Sequence, residues 1–403
     1  MRERYPEIVI SAEGVSWQKK GQMWLYRNNV LHVSEELQNG MPADVVGEDG
    51  EYLGTGLYSQ KSHITVRILS RNRDEDIDTA FFIRRIREAY EFRRSVEPEN
   101  MTNCRLIFGE ADLLPGLLAD RYNEFLVVQI STYGMEMRKD ALYAGIMQVL
   151  QDAGEDVKYI YEKNDIAVRE KEGLTRYEGW YTQTDVPAET VINENGLKIR
   201  VDIAGGQKTG YFLDQKSNRV LVRHLAKNKR VLDCFTHTGG FALNAAYGGA
   251  ADVTAVDVSA GALAKAAENA ELNGLSERMH FVQADVFAYL ETCTQGQYDL
   301  IILDPPAFTK SRRTVDHAYR GYKTINKRAM ELLKNYGYLA TCSCSRFMET
   351  ENFERMLREA ASEAGVYLQQ ISVTQQNGDH PILWTMAETS YLKFYMFRII
   401  PVK

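Results

Sequence analysis

Apolar positions along this chain fall into two rhythms. From residue 230 onward, short apolar runs (RVLDCF, DVTAVDV, MHFVQAD, YDLIILD) alternate with segments of helical periodicity that begin near Phe241 and Ala260. That alternation predicts a parallel sheet covered by helices on both faces, an α/β architecture. Earlier runs are shorter. Between about residues 6 and 75, EYLGTGLYS and HITVRILS are separated by turn formers including Asp49-Gly50, which predicts a small β-rich module. Residues 77–190 mix helical periodicity at 135–151 with strand candidates at 104–108, 125–130 and 158–161, an α+β pattern. VINENGLKIRVDI then reads as a hairpin, with Asn195-Gly196 supplying the positive φ angles of a type I′ turn, and YLKFYMFRII reads as a final strand. The expected division is a β-rich domain at 1–76, a central α+β domain at 77–190 and a doubly wound α/β domain at 191–403.

A chain of 403 residues accommodates two or three such domains. No apolar stretch approaches the roughly 18 residues of a spanning helix, and MRERYPEIVI lacks the apolar run of a signal peptide, so a cytoplasmic protein without membrane association is expected. Five cysteines, scattered except for Cys342 and Cys344, argue against a disulfide framework. No CxxC or HxxxH pair marks a metal site, and none is expected.

The net charge of -7 does not by itself point to nucleic acid. Its distribution changes that picture. Residues 307–330 hold Lys310, Arg312, Arg313, Arg320, Lys323, Lys327 and Arg328 against a single Asp316. A second cluster, Arg84, Arg85, Arg87, Arg93 and Arg94, lies on an expected amphipathic helix. Either cluster reads equally as a solvated surface, but the first follows directly on the residues that suggest chemistry.

Those residues stand at the ends of the apolar runs. RVLDCFTHTGGFALNAA is a strand, a Gly-Gly turn and a helix, with Gly239 and Gly240 allowing close backbone approach to a ligand. The spacing is neither GxGxxG nor GxxxxGK[ST], and Asp233 would repel a phosphate while welcoming a cationic sulfonium and amino group. Asp257 ends the next strand, 24 positions on, where an acid can accept both ribose hydroxyls; Asp285 ends the third and Asp304 the fourth. A single acid at a strand end more simply caps the next helix. Four in succession, flanked by Phe235, Val258 and Val286, point to S-adenosylmethionine.

An acid able to bond a pyrimidine edge, beside a thiol able to add to its ring, suggests methylation of cytosine at carbon 5. That carbon becomes enamine-like only after a thiolate adds at carbon 6. Asp304 is the expected acid, and Pro305, Pro306, Phe308, Lys310, Arg312 and Arg313 are expected to meet the nucleic acid, with Phe308 stacking on a flipped base. Ala307 separates Pro306 from Phe308, whereas amine-methylating enzymes carry the aromatic directly after Pro-Pro. Cys342 and Cys344, two apart on a strand, point to one face, so either can be the nucleophile.

The motifs resemble the bacterial ribosomal RNA (cytosine-5-)-methyltransferase family that carries an N-terminal PUA domain. The resemblance runs through CRLIFGEADLLPGLLADRYNEFLVVQ, GGQKTGYFLDQKSNR, DCFTHTGGFALNAA, DPPAFTKS, CSRFM, DHPILW and ETSYLK in the expected order. It implies a Rossmann-like C-terminal domain, an RNA-binding first module and large-subunit ribosomal RNA as partner. It also places the methionyl end of S-adenosylmethionine near Asp233, the ribose on Asp257 and the adenine amino group near Asp285. By the same resemblance Tyr211, Phe212, Asp214, Gln215 and Arg219 line the cofactor pocket, although Tyr211 and Phe212 can equally pack on the sheet and Asp214 cap a helix. Ser345-Arg346-Phe347-Met348 fits the family's Ser-x-x-Met after the reactive thiol, which assigns Cys344. Two other readings stay open: the same fold acting on another base, and a non-catalytic RNA-binding assembly factor. The β-rich and α+β parts also offer surface for a homodimer.

Overall fold

The computed structural model describes residues 4–309, 311–333 and 336–402. Contacts divide the chain into two units: Met1–Ile192, Val201–Leu213 and Gly378–Thr389 form one, and Asn193–Arg200, Asp214–Asn377 and Ser390–Lys403 the other.

Among the described residues the first unit holds a six-stranded and a five-stranded sheet. The six strands run in the order Trp24–Tyr26, Ile64–Ser70, Tyr52–Tyr58, Pro42–Gly47, Glu7–Ile10 and Val30–Val33. Ile8, Ile10, Leu25, Val45, Val66 and Ile68 pack inside it. Tyr52–Tyr58 and Ile64–Ser70 are buried through their centres on both faces, so their alternation does not mark one wet side. The five-stranded sheet (Asn103–Phe108, Leu117–Tyr122, Phe125–Ile130, Tyr159–Lys163, Glu178–Trp180) carries the helices Thr79–Val96 and Lys139–Asp152.

Thr79–Val96 is the helix of the second arginine cluster, and its arginines are engaged within the unit. Arg93 is fully buried, donating to the carbonyls of Arg105 and Asp379 and pairing with Asp112. Arg84, Arg85, Arg87 and Arg94 pair with Glu75, Glu88, Asp152 and Glu91. This face is a set of ion pairs around a structural arginine. Asp379 also accepts the Arg105 amide at 3.0 Å, which ties the DHPILW segment to this unit.

Glu189–Glu194 and Leu197–Asp202 form a two-stranded hairpin, and both turn residues have positive φ (Asn195 52°, Gly196 85°), as a type I′ turn requires.

The second unit is built on a seven-stranded sheet whose strands we number β1 (Arg230–Cys234), β2 (Asp252–Asp257), β3 (Met279–Gln283), β4 (Leu300–Leu303), β5 (Tyr338–Ser343), β6 (Val366–Thr374) and β7 (Lys393–Pro401). Their spatial order is β3-β2-β1-β4-β5-β7-β6. The first five are parallel and β7 is inserted antiparallel between β5 and β6. The order reverses between β1 and β4, the switch point where open α/β sheets bind ligands. Register then fixes the site. Cys234 pairs with Val256 and with Leu303, and Leu303 pairs with Thr341, so Asp257, Asp304 and Cys342 all follow at one level of the sheet.

Helix Lys216–Leu225 brings Arg219 against Glu194, with one guanidinium nitrogen 2.8 Å from each carboxylate oxygen and both side chains almost wholly buried. Removing one partner takes away the bidentate counter-charge of a buried group. Glu194→Ala is therefore expected to cost about 3–5 kcal/mol of stability, read as a lower urea midpoint with an unchanged slope.

Candidate active site at the switch point

Asp233 is the penultimate residue of β1, and its carboxylate is buried (1% exposed). One oxygen accepts the Thr236 hydroxyl at 2.6 Å and the Ala242 amide at 2.9 Å. The other is buried with no partner among the described residues. Burial pushes this carboxyl up to about 7, with Asp304 and Asp257 adding to the rise. A buried acid with an unsatisfied oxygen accommodates a cationic ligand, and the sulfonium and amino group of S-adenosylmethionine fit that requirement.

The turn after β1 is conformationally unusual. Phe235 (φ 63°), His237 (52°) and Gly239 (86°) alternate through the left-handed region, which for Phe and His costs of order 1–3 kcal/mol each. Asp257 holds the turn by accepting the His237 amide at 2.9 Å, and it also accepts the Ser259 amide at 2.9 Å. Beside it Val258 is largely exposed (69%), an apolar side chain at the rim. Asp285, at the end of β3, caps the helix Val286–Thr292 through the Ala288 amide at 3.0 Å, so the simpler reading of that acid holds at one oxygen. Val286 is in the core (2% exposed) and forms no part of the rim surface.

At β4 and β5 three side chains form a closed triangle. The Cys342 thiol donates to Asp304 Oδ1 at 2.8 Å, and Gln215 Nε2 donates to the same oxygen at 3.2 Å and to Cys342 Sγ at 3.4 Å. Asn218 fixes Gln215 through its Oε1 at 2.7 Å. Burial and the neighbouring Asp304 push the Cys342 thiol well above its ordinary value, so Cys342 stays protonated and acts as a hydrogen-bond donor. Cys344 lies one residue beyond the strand and is half-buried, whereas Cys104, Cys234, Cys293 and Cys342 are all buried. Its sulfur lies 3.8 Å from the Pro305 carbonyl oxygen. The two thiols thus face consecutive residues of Asp304-Pro305-Pro306 in different roles. Asp214 is not the cap of helix Lys216–Leu225: its carboxylate accepts the Tyr391 hydroxyl at 2.6 Å, and the N-cap position is held by Gln215, with no side-chain cap bond.

Other expected contacts are dispersed. Pro305 is buried and Pro306 exposed. Phe308 is half-buried in an aromatic group, 4.6 Å from the Tyr322 ring and near Phe235 and Phe287. Within the basic stretch, Lys323 and Lys327 pair with Glu363, and Arg328 donates to the carbonyls of Leu290 and Cys293. Arg312, Arg313 and Arg320 are exposed; Lys310 lies outside the described residues. Tyr211 and Phe212 belong to the first unit, where Tyr211 is buried with its backbone bonded to the Tyr122 hydroxyl and Phe212 lies 4.4 Å from Lys208 Nζ. Lys393, at the start of β7, is the residue that pattern reading missed. It is buried beside the thiols, and its only sequence signal was its place in ETSYLK.

The strand order, the left-handed turn after β1 and the acids on the rim define a Rossmann-like methyltransferase domain. The sequence matches the S-adenosylmethionine-dependent methyltransferase family over residues 178–394 and a PUA-like domain over residues 8–71, and the chain belongs to that methyltransferase family. It is 38% identical to the ribosomal RNA large subunit methyltransferase I of Klebsiella pneumoniae (strain 342) over 98% of this chain and 99% of the relative. The Salmonella typhi protein of the same name is also 38% identical, covering 98% of each chain. Among solved structures, a Streptococcus mutans chain assigned to the SAM-dependent methyltransferases superimposes with a TM-score of 0.81 at 21% identity, covering 97% of this chain and 99% of that one. A second methyltransferase structure, complexed with SAH, gives 0.83 at 21% identity with the same coverage. At that identity the likeness is one of fold.

Because folding raises the Asp233 carboxyl from 3.8 to about 7, its contribution to stability is full below the unfolded value and is lost as pH rises through about 7. Asp233→Asn is expected to flatten the fall in melting temperature of the ligand-free protein between about pH 4 and pH 7. The same substitution should weaken S-adenosylmethionine binding about tenfold or more and remove its tightening as pH rises toward about 7, both read by calorimetry.

Proposed function

We propose that this protein methylates carbon 5 of a cytosine in large-subunit ribosomal RNA, with Cys344 as the nucleophile and Asp304 as the acid that holds the base. The observation that carries the reading is the division of labour between the two thiols. Cys342 is buried, protonated and committed to Asp304, while Cys344 is the accessible one at the same strand end. An amine-directed methyltransferase has no use for such a thiol. The substrate class is supported by the curated relatives, named for ribosomal RNA and aligned over nearly the whole chain, and by the PUA-like module.

Asp233, Asp257, Asp285 and Gly239 would hold S-adenosylmethionine, with Phe235 and Val258 beside it. Bound there, it supplies an electrophilic methyl group. The chain's own residues do the rest. Cys344 as thiolate adds to carbon 6 of the cytosine, and the electron pair moves to carbon 5, which becomes nucleophilic. Asp304, fixed by Cys342 and Gln215, is directed at N3 and the exocyclic amine, where charge changes as the adduct forms. Once carbon 5 carries the methyl group, loss of its proton to a base restores the ring double bond and expels the Cys344 thiolate. Phe308 is proposed to stack on the flipped base, and Arg312, Arg313 and Lys310 to meet the RNA backbone.

The test is nucleoside mass spectrometry on ribosomal RNA from cells lacking the gene and complemented with variants. Loss of one 5-methylcytidine, restored by wild type and not by Cys344→Ala, is the expected result. Cys342→Ser, which keeps a donor to Asp304, should retain activity within about tenfold in kcat/KM. Unchanged 5-methylcytidine with loss of a different methylated base would contradict the thiol mechanism.

A further inference from the structure

Lys393 opens β7, whose antiparallel register sets it opposite Ser343 on β5. Its side chain is 7% exposed, and its ammonium donates to the Ser345 carbonyl at 2.8 Å. The backbone partner of Lys393 thus precedes Cys344 and its side-chain partner follows it. Among the described residues the ammonium makes no other hydrogen bond and no ion pair with a carboxylate. A buried ammonium with one neutral acceptor is poorly compensated, and such groups persist where an anion forms nearby.

The charged and titratable groups around it come from four elements. β4 and β5 bring Asp304, Cys342 and Cys344; helix Val315–Leu332 brings Tyr322; the approach to helix Thr350–Ala364 brings Glu349; and Arg346 follows Cys344 in sequence. Tyr322 bonds Ser343 and Ser345, and burial raises its phenol, so it stays neutral. Cys342 is held protonated against Asp304. Glu349 and Arg346 are exposed, where solvent screens their charges. Burial lowers Lys393 to about 8, and Cys344, Cys342 and Glu349 oppose that shift. Of those three, only Cys344 is a partly buried group whose charge state remains to be set.

We propose that Lys393 is a positioning residue for the nucleophile, its ammonium, anchored on the Ser345 carbonyl, holding Cys344 as a thiolate near neutral pH. This rests on Cys344 being the nucleophile. No carboxylate or imidazole base is then needed to generate the thiolate, because the lysine stores the compensating charge before substrate arrives.

The test is the pH dependence of Cys344 alkylation by iodoacetamide in the full-length protein without RNA, followed on the Cys344 peptide by mass spectrometry. In wild type the midpoint should lie about one pH unit or more below the free-thiol value of about 8.5. Lys393→Met, which keeps the apolar stem, should raise it to about 8.5 or above, and Lys393→Arg should hold it low. A wild-type midpoint at or above about 8.5 would overturn the proposal without any variant, as would an unchanged midpoint in a Lys393→Met or Lys393→Gln protein that melts cooperatively. Because the titration needs no RNA, a lowered Cys344 midpoint in a protein that makes no 5-methylcytidine would sink the cytosine reading alone.

Discussion

Everything at this site depends on the register of five parallel strands. β1 pairs with β2 and β4, and β4 with β5, so that the residues after Cys234, Val256, Leu303 and Thr341 emerge together. Shifting one strand by a residue would turn every side chain over. Asp304 would then point away from Gln215 and Cys342. Apolar side chains buried on both faces hold the register, Leu232, Val256, Ile301, Leu303 and Leu339 on one and Val231, Val253, Leu300 and Ile302 on the other. The chemical groups are the first residues beyond that apolar lock.

Placing acids at the ends of buried strands has an electrostatic consequence. Asp257 and Asp304 lie near enough to disfavour the ionisation of Asp233, which burial already opposes. A cationic ligand relieves that opposition, so affinity and charge state are coupled. On the other side of the switch point the arrangement is inverted. Lys393 is a buried cation, and Cys344 is the group that gains by ionising beside it. The site therefore presents an anionic side to one reactant and a cationic side to the proposed nucleophile, with β4 and β5 between Asp233 and Lys393.

The parts of this that could be read from sequence are those governed by local pattern. Buried parallel strands announce themselves as RVLDC and LIIL, and the Asn195-Gly196 turn carries its own conformational requirement. Asp233, Asp257, Asp285 and Asp304 were visible because each ends an apolar run. What each carboxylate does was less visible. Asp285 and Asp257 both bind nearby backbone amides, a function that strand-end position alone does not separate from ligand binding. Long-range pairing was hidden altogether. Arg93 looks like one more member of a basic helix until its partners appear, one of them 286 positions away. Lys393 reads as an ordinary charge at the start of a strand, and only the insertion of β7 beside β5 puts it next to Cys344. The resemblance pointed to Cys344 through Ser345-Arg346-Phe347-Met348; the difference in burial between the two thiols, which supports that reading, is not encoded in their two-residue spacing.

The central claim is that Cys344, and not its buried neighbour, bonds to the substrate base. The direct measurement is to incubate the protein and S-adenosylmethionine with ribosomal RNA substituted with 5-fluorocytidine, whose fluorine cannot leave carbon 5 as a proton does, and to map the trapped adduct by peptide mass spectrometry. The account predicts a nucleotide adduct on the Cys344 peptide fragment, with Cys342 unmodified. An adduct on Cys342, or methyl transfer to the RNA with no covalent complex on either thiol, would contradict it.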